Sequence, residues 1–270
     1  MTKAEMLAFE RQEPSLFSDP RSTRRRWQRP VRVFDHDRAL LLGLDGETAV
    51  LARRHGIADS AVVSKGLWRP PARAALGEHA YGVLVIDGLL SRTLALEGVR
   101  SPELLGAGDL LDLDDAAARS SLRFETEWRV LERATVAFLD ERFARRMARF
   151  PAVTAALVDR GMQRSHWLSC QIAIAHVRGA DRRVLLLLWL LADRWGRVTP
   201  RGVTLPLRLT HSTIAHLVCM GRPTVSATLG RLTREGEVRR RPDGTWLLTG
   251  SPPDVADAAA RAAERTLRAA

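Results

Sequence analysis

"LTHSTIAHLVCMGRPTVSATLGRLTREGEVRRRPDGTWLL", residues 209–248, holds two short helical patterns followed by a pair of extended runs. Thr210 suits an N-cap, because its hydroxyl can accept a hydrogen bond from a first-turn N–H. Behind it Ile214, Leu217 and Val218 fall at the i, i+3, i+4 spacing of one buried helix face. Cys219-Met220-Gly221 interrupts the pattern, with a glycine where a left-handed or capping conformation is easiest. A second helix then buries Val225, Leu229 and Leu232, and Ala215 is small enough to let the two helices approach closely. Pro223 falls in the first turn of that second helix, where its missing N–H costs nothing. Two short helices joined by so tight a turn predict a helix-turn-helix.

The rest of the second helix points to a polyanion. Pro223, Ala227, Gly230, Arg231 and Arg234 are expected on its exposed side, with Arg222, Thr224 and Ser226 crowding its N-terminal end. Small residues permit close approach to a duplex, and a helix N-terminus carries a positive dipole that suits phosphate. "VRRRPDGTWLL" (238–248) predicts two strands around Asp243-Gly244, so Arg239, Arg240 and Arg241 form a basic wing. The expected DNA contacts are therefore Arg222, Pro223, Thr224, Ser226, Ala227, Arg231, Arg234, Arg239, Arg240 and Arg241. The partner is double-stranded DNA.

Charge agrees with this. The chain has 270 residues, enough for two modest domains, and its 42 Lys+Arg against 31 Asp+Glu give a net charge of +11. A GC-rich genome writes arginine in place of lysine, but it does not explain an excess of arginine over carboxylates. Thirteen of the arginines fall between Arg178 and Gly250 against five acidic residues, so most of the excess sits in the C-terminal third. That is a footprint for phosphate contacts. The two cysteines, Cys170 and Cys219, form no close pair, which fits a reducing cytoplasm. The longest apolar run, "VLLLLWLLA" (184–192), is too short to span a membrane, and "MTKAEMLAFERQEP" lacks the apolar centre of a signal peptide.

N-terminal to this region, residues 1–30 read as a mobile arm ending in "RSTRRRWQRP". From residue 31 short Val-, Leu- and Ala-rich runs alternate with Gly and Pro. "YGVLVIDGLLSRTLAL" (81–96) reads as a hairpin around Asp87-Gly88, "ELLGAGDLL" (103–111) as a tight turn, and "WRVLERATVAFLD" (128–140) as two strands. Such spacing suggests a β-barrel or jelly-roll-like module. Asp140 can cap a short helix, and Pro151 opens a second. On the second, Gly161, Ser165, Leu168, Ile172 and Ala175 repeat at 4-3-4-3, a seam of coiled-coil type that favours a homodimer over packing on the chain's own β-module.

The segment 209–248 resembles the winged helix of the cyclic-AMP receptor/FNR family of bacterial transcription regulators. "DRRVLLLLWLLADRWGRVT" (181–199) is similar to the helix and strand that precede it there, and "YGVLVIDGLLSRTLAL…LLGAGDLL" resembles the hairpin and Gly-x-Gly-Asp turn of that family's β-roll. The resemblance implies an α+β fold with an N-terminal jelly-roll-like β-roll, a long central dimerisation helix and a C-terminal winged helix-turn-helix. The divisions expected are an arm at 1–30, a cyclic-nucleotide-binding-like roll at 31–140, connector and dimerisation helices at 141–178, the winged helix at 179–250 and an Ala-rich tail at 251–270. The implied partners are DNA, a second copy of the chain, a small-molecule effector and RNA polymerase. Arg222, Pro223 and Ala227 match the family's base-reading positions, where Arg, Glu and Arg are frequent. Only Arg222 conforms, so the family's usual half-site is not expected.

The effector site departs further. Cyclic-nucleotide binders follow the Gly-Asp turn with a Gly-Glu pair on the ribose and, about ten residues later, an Arg-Ser/Thr pair on the phosphate. Here "LLDLDDAAARSSLRF" follows Gly108-Asp109; Arg119 and Ser120 echo the second pair, the first is absent, and Asp112, Asp114 and Asp115 oppose a phosphate. The effector is expected not to be cyclic AMP. A cupin-type metalloenzyme is the rival for the roll, but His36, His55 and His79 are isolated, and His166 and His176 face different ways on one helix. No catalytic residue, metal or cofactor is expected. A ligand-independent architectural DNA-binding protein remains the alternative to a sensor.

Overall fold

A computed structural model describes residues 29–113 and 121–253. The arm up to residue 28, the segment 114–120 with Asp114, Asp115, Arg119 and Ser120, and the tail from residue 254 lie outside the described residues. The described chain divides into two units: residues to Ser91 with Leu104–Leu122 and Glu127–Gly161, and Arg92–Glu103 with Arg123–Thr126 and the chain from Met162 onward.

The first unit is built on antiparallel strands. β1 (Arg29–Arg32) pairs with β2 (Ile57–Val63), β2 with β7 (Glu125–Leu139), and β7 adjoins β4 (Gly82–Leu96) and then β5 (Val99–Gly106). The short β3 (Gly66–Trp68) joins β7, and β6 (Leu110–Leu111) joins β4. Two apolar clusters fill this unit. One gathers Val83, Val85, Leu90, Leu105, Leu111, Val130 and Val136. The other seats Phe34, Leu40, Leu84, Leu139, Phe143, Met147 and Phe150 together with Val153 and Leu157. Each fully buried side chain of this size contributes about 1.5–3 kcal/mol.

Three expectations change here. The run 82–96 is one fifteen-residue strand, not a hairpin around Asp87-Gly88. Gly88 does take a positive φ of 94°, but its reason is a close approach: a Cβ there would lie 2.4 Å from the Ala134 backbone of β7. The reversal comes at Glu97-Gly98, with φ values of 50° and 79°. Residues 128–139 likewise lie in a single strand, β7, which pairs with β3 over 128–130 and with β2 over 134–138, and Asp140 leaves it to cap the next helix. A helix that the strand pattern did not predict, α2 (Gly46–His55), follows the four-residue α1 (Val33–His36). Its signal was the cap: Asp45 Oδ1 accepts the Thr48 N–H at 2.9 Å.

Asp140 caps α3 (Glu141–Met147) by accepting the Phe143 N–H at 2.9 Å. Pro151 starts α4 (Pro151–His176), 26 residues long. In the second unit Glu103, only 4% exposed, is bound by Arg164 of α4 through Nε at 2.5 Å and Nη2 at 2.8 Å and by Arg92 at 3.1 Å. Gln171 donates to the Pro102 carbonyl at 3.3 Å, so the tip of the β4–β5 hairpin is fastened to the later turns of the helix. Gly179, at φ 90°, leads into α5 (Ala180–Trp195). A four-stranded sheet follows in the order β10-β11-β9-β8, formed by β8 (Arg197–Thr199), β9 (Gly202–Leu205), β10 (Val238–Arg240) and β11 (Trp246–Leu248). Between β9 and β10 lie α6 (His211–Leu217) and α7 (Arg222–Arg234). Val184, Leu187, Leu188, Ile214, Leu217, Val225, Leu229, Leu232 and Trp246 are buried in this unit. The jelly-roll-like, long-helix and winged helix-turn-helix architecture is present as expected.

Candidate nucleic-acid interface

Local chemistry fixes the angle between α6 and α7. Thr210 Oγ1 accepts the Thr213 N–H at 3.1 Å and caps α6. At the other end the Met220 N–H reaches back to the Ala215 carbonyl at 2.9 Å, and the Cys219 N–H to His216 at 3.2 Å. This six-to-one closure places Cys219 in the left-handed region at φ 52°. The glycine of the break was expected to take either this left-handed conformation or a capping one. Gly221 is the extended N-cap of α7, at φ −66°, and Pro223 sits in the first turn where no partner for its nitrogen is needed.

Along α7 the expected residues separate. Arg222, Pro223, Thr224, Ala227 and Arg234 are exposed, and Val225, Leu229 and Leu232 are buried. Thr228 is also fully buried, a position the pattern of large apolar residues did not mark. Arg231 lies elsewhere: its Nη2 is 2.5 Å and its Nε 3.1 Å from the Asp181 carboxylate of α5, with a further bond to Thr228 at 3.3 Å. That bidentate bond to Arg231 holds the Asp181 pKa below the usual carboxylate range. Arg231, which the sequence places among the DNA contacts, is thus also a tether between α7 and α5. Ser226 is half-buried, with its hydroxyl 2.9 Å from Nδ1 of His211 on α6.

The wing is the expected hairpin. Val238, Arg239 and Arg240 pair with Leu248, Leu247 and Trp246. Asp243 builds its turn by accepting from Thr245 N at 3.0 Å and Thr245 Oγ1 at 2.6 Å, bonds that lower its pKa ahead of the effect of Arg241 and Arg208. Gly244 completes the turn at φ 85°. Arg239, Arg240 and Arg241 are all exposed, but neighbours on a strand point to opposite faces. Arg240 shares the face of its partner Trp246, with its guanidinium 5.7 Å from that ring, and Arg239 points away from it. His211 lies 6.3 Å from the same Trp246 ring. Burial first, then Arg240 and Arg222, push the His211 pKa below its ordinary value. Ser226 and Trp246 therefore adjoin one imidazole, and the charges of Arg240 and Arg222 reach it. His211 was not among the expected contacts, and its only sequence signal was its place directly after the cap.

On α4 the expected seam is uneven. Gly161, Ser165 and Ile172 are exposed, whereas Leu168 and Ala175 are half-buried. Val158 and Met162 are also exposed, so Val158, Met162, Ser165, Ser169 and Ile172 form a bare stripe at the same 4-3 spacing. In the roll, Asp109 Oδ2 accepts the Gly106 N–H at 2.7 Å, which closes the Gly-Asp turn. Asp112 faces Arg73 at 3.8 Å. Among the described residues no group of three His, Cys, Asp or Glu is placed to hold a metal, and no helix is long and apolar enough to cross a membrane.

Residues 182–249 match the Crp-like helix-turn-helix domain. A variant of CooA from Carboxydothermus hydrogenoformans has a similar structure, with TM-score 0.57, 23% identity, and 78% of this chain and 90% of that one covered. A cyclic nucleotide-binding domain containing protein from Listeria monocytogenes gives 0.56 at 16% identity over 70% and 88%. A CRP-family transcriptional regulator from Thermus thermophilus gives 0.50 at 19% identity over 70% and 90%. At these identities the likeness is one of fold. No curated protein matches the chain.

Proposed function

We propose that this chain, a CRP/FNR-type transcription regulator with a helix-turn-helix DNA-binding domain, acts as a cytoplasmic homodimer that reads a near-palindromic duplex site. The observation that carries this is the joining of α7 and the wing at His211: its Nδ1 is 2.9 Å from the Ser226 hydroxyl of α7, and its ring is 6.3 Å from Trp246, over which Arg240 of the wing sits. A helix laid in the major groove and a wing on the adjoining backbone need their cations close together, and exposed Arg222 and Arg240, whose charges both reach His211, support that reading. Arg222 reads bases, with Pro223, Thr224 and Ala227 giving the close approach, and Arg234, Arg239, Arg240 and Arg241 contact phosphates. Arg231 holds α7 to α5. The bare stripe on α4 pairs with its copy, which sets two modules at the spacing of two half-sites. RNA polymerase is a further partner.

The roll serves as a sensor for an effector other than cyclic AMP. Asp112 stands beside Arg73, and the sequence that follows lacks the glutamate that would accept from a ribose hydroxyl. The test is selection from a randomised duplex library with the wild-type chain and Arg222→Ala. Enrichment of a two-fold motif by the wild type, degraded at defined positions by the substitution, supports the reading. The same ranking of sequences with both proteins would show that α7 is not the reading helix.

A further inference from the structure

His211 opens α6 half-buried and adjoins both α7 and β11. Its Nδ1 is 2.9 Å from the Ser226 hydroxyl on α7, and its ring is 6.3 Å from Trp246 of β11, above which the Arg240 guanidinium sits at 5.7 Å. The charged groups that act on the ring from the elements packed against it are Arg240 of β10 and Arg222 of α7, both cations. Burial first, and then these two charges, disfavour the imidazolium in the free protein.

We propose that His211 is a proton-coupled positioning residue: DNA binding draws one proton per subunit from solvent onto its ring, and this turns the Ser226 hydroxyl outward as a phosphate donor. The proposal rests on the reading of α7 and the wing as a DNA interface. With the neutral ring protonated at Nε2, Nδ1 accepts and Ser226 directs its hydroxyl hydrogen inward. With both ring nitrogens protonated, Nδ1–H donates to Ser226 Oγ instead. The hydroxyl hydrogen is then free to point at a phosphate oxygen, which only accepts. Phosphates drawn to Arg222 and Arg240 offset the two charges that, after burial, disfavour the imidazolium, so its pKa rises in the complex. A pKa higher in the bound state means that affinity rises as pH falls through the bound-state pKa. The rise levels off below the free-state value.

Anisotropy titrations at fixed salt with a selected duplex, from about pH 8 to about pH 5.5, test this across the range in which histidine titrates. The wild-type affinity should rise about tenfold per subunit for each unit by which the ring's pKa moves. His216→Gln, at an exposed position on the same helix, should keep that rise, His211→Gln should lose it, and Ser226→Ala should reduce it. A flat wild-type profile, or a rise that survives in His211→Gln, overturns the proposal. A full rise in Ser226→Ala overturns the hydroxyl switch. NMR titration of the imidazole protons of the wild type, free and DNA-bound, needs no substitution. The His211 pKa should move up on binding, and an unchanged value contradicts the proposal. Failure to bind any duplex at any pH removes the DNA-binding reading as well, whereas a flat profile leaves that reading standing.

Discussion

Arg222 and Arg231 stand nine residues apart on one helix and have opposite surroundings. Arg222 is exposed at the first turn; Arg231 is held by Asp181. Composition treats them as equal cations, and only the packing of α5 against α7 separates them. Arg222→Ala should cost about 1–3 kcal/mol on the preferred site and relax preference there, as expected for a guanidinium bidentate to guanine. Arg231→Ala should leave the salt dependence of DNA affinity unchanged, while Arg240→Ala should flatten it by about two counterions per dimer. Titrations of affinity against salt distinguish the two. The Asp181 pKa is lowered in the folded state, so the stabilisation it provides is complete above the unfolded carboxylate pKa and fades as pH drops through the folded one. Cys219 is a different case. It occupies a left-handed position at φ 52° while exposed to solvent, and a β-carbon there costs about 1 kcal/mol or more. Cys219→Gly should therefore raise the unfolding midpoint in denaturant without weakening DNA binding. A lowered midpoint would mean that the thiol makes contacts outweighing the strain.

At the scale of elements, legibility followed the locality of the cause. Caps at Thr210 and Asp140, the proline start of α4 and the Asp243-Gly244 wing turn are written within four residues, and all four form as read. β4 and β7 failed for the complementary reason. Asp87-Gly88 carries the local signature of a turn, but the long neighbouring strand offers continuous pairing across it. Gly88 is needed because the Ala134 backbone comes within 2.4 Å of where its β-carbon would be, and that neighbour is 46 residues away. On α4 the spacing of the expected seam is local, but which face the tip of the β4–β5 hairpin covers is not. Arg164 and Gln171 are taken by Glu103 and Pro102, which leaves Val158, Met162, Ser165 and Ile172 bare. Ile172 is 60% exposed in one chain. Ile172→Asp should accordingly leave the monomer's stability nearly unchanged while placing an unpaired carboxylate in the proposed dimer seam. Sedimentation should show monomers with a native circular dichroism spectrum and lost operator binding. A dimer as stable as the wild type would move the interface off α4.

For the whole molecule, the charge bias and the roll carry the remaining expectations. The net +11 concentrated in the C-terminal third favours a polyanion, and the carboxylates after Gly108 disfavour an anionic ligand in the roll. Calorimetry with cyclic AMP and cyclic GMP should show no binding in the micromolar range, and micromolar binding lost in Arg119→Ala would reverse that expectation. Two copies of this chain are proposed to grip one duplex through α7 and the wing. Sedimentation of the full chain with a duplex carrying the selected two-fold site measures this stoichiometry. Two chains per duplex are expected, with dissociation as salt rises; one chain per duplex, or no complex at low salt, would overturn the proposal.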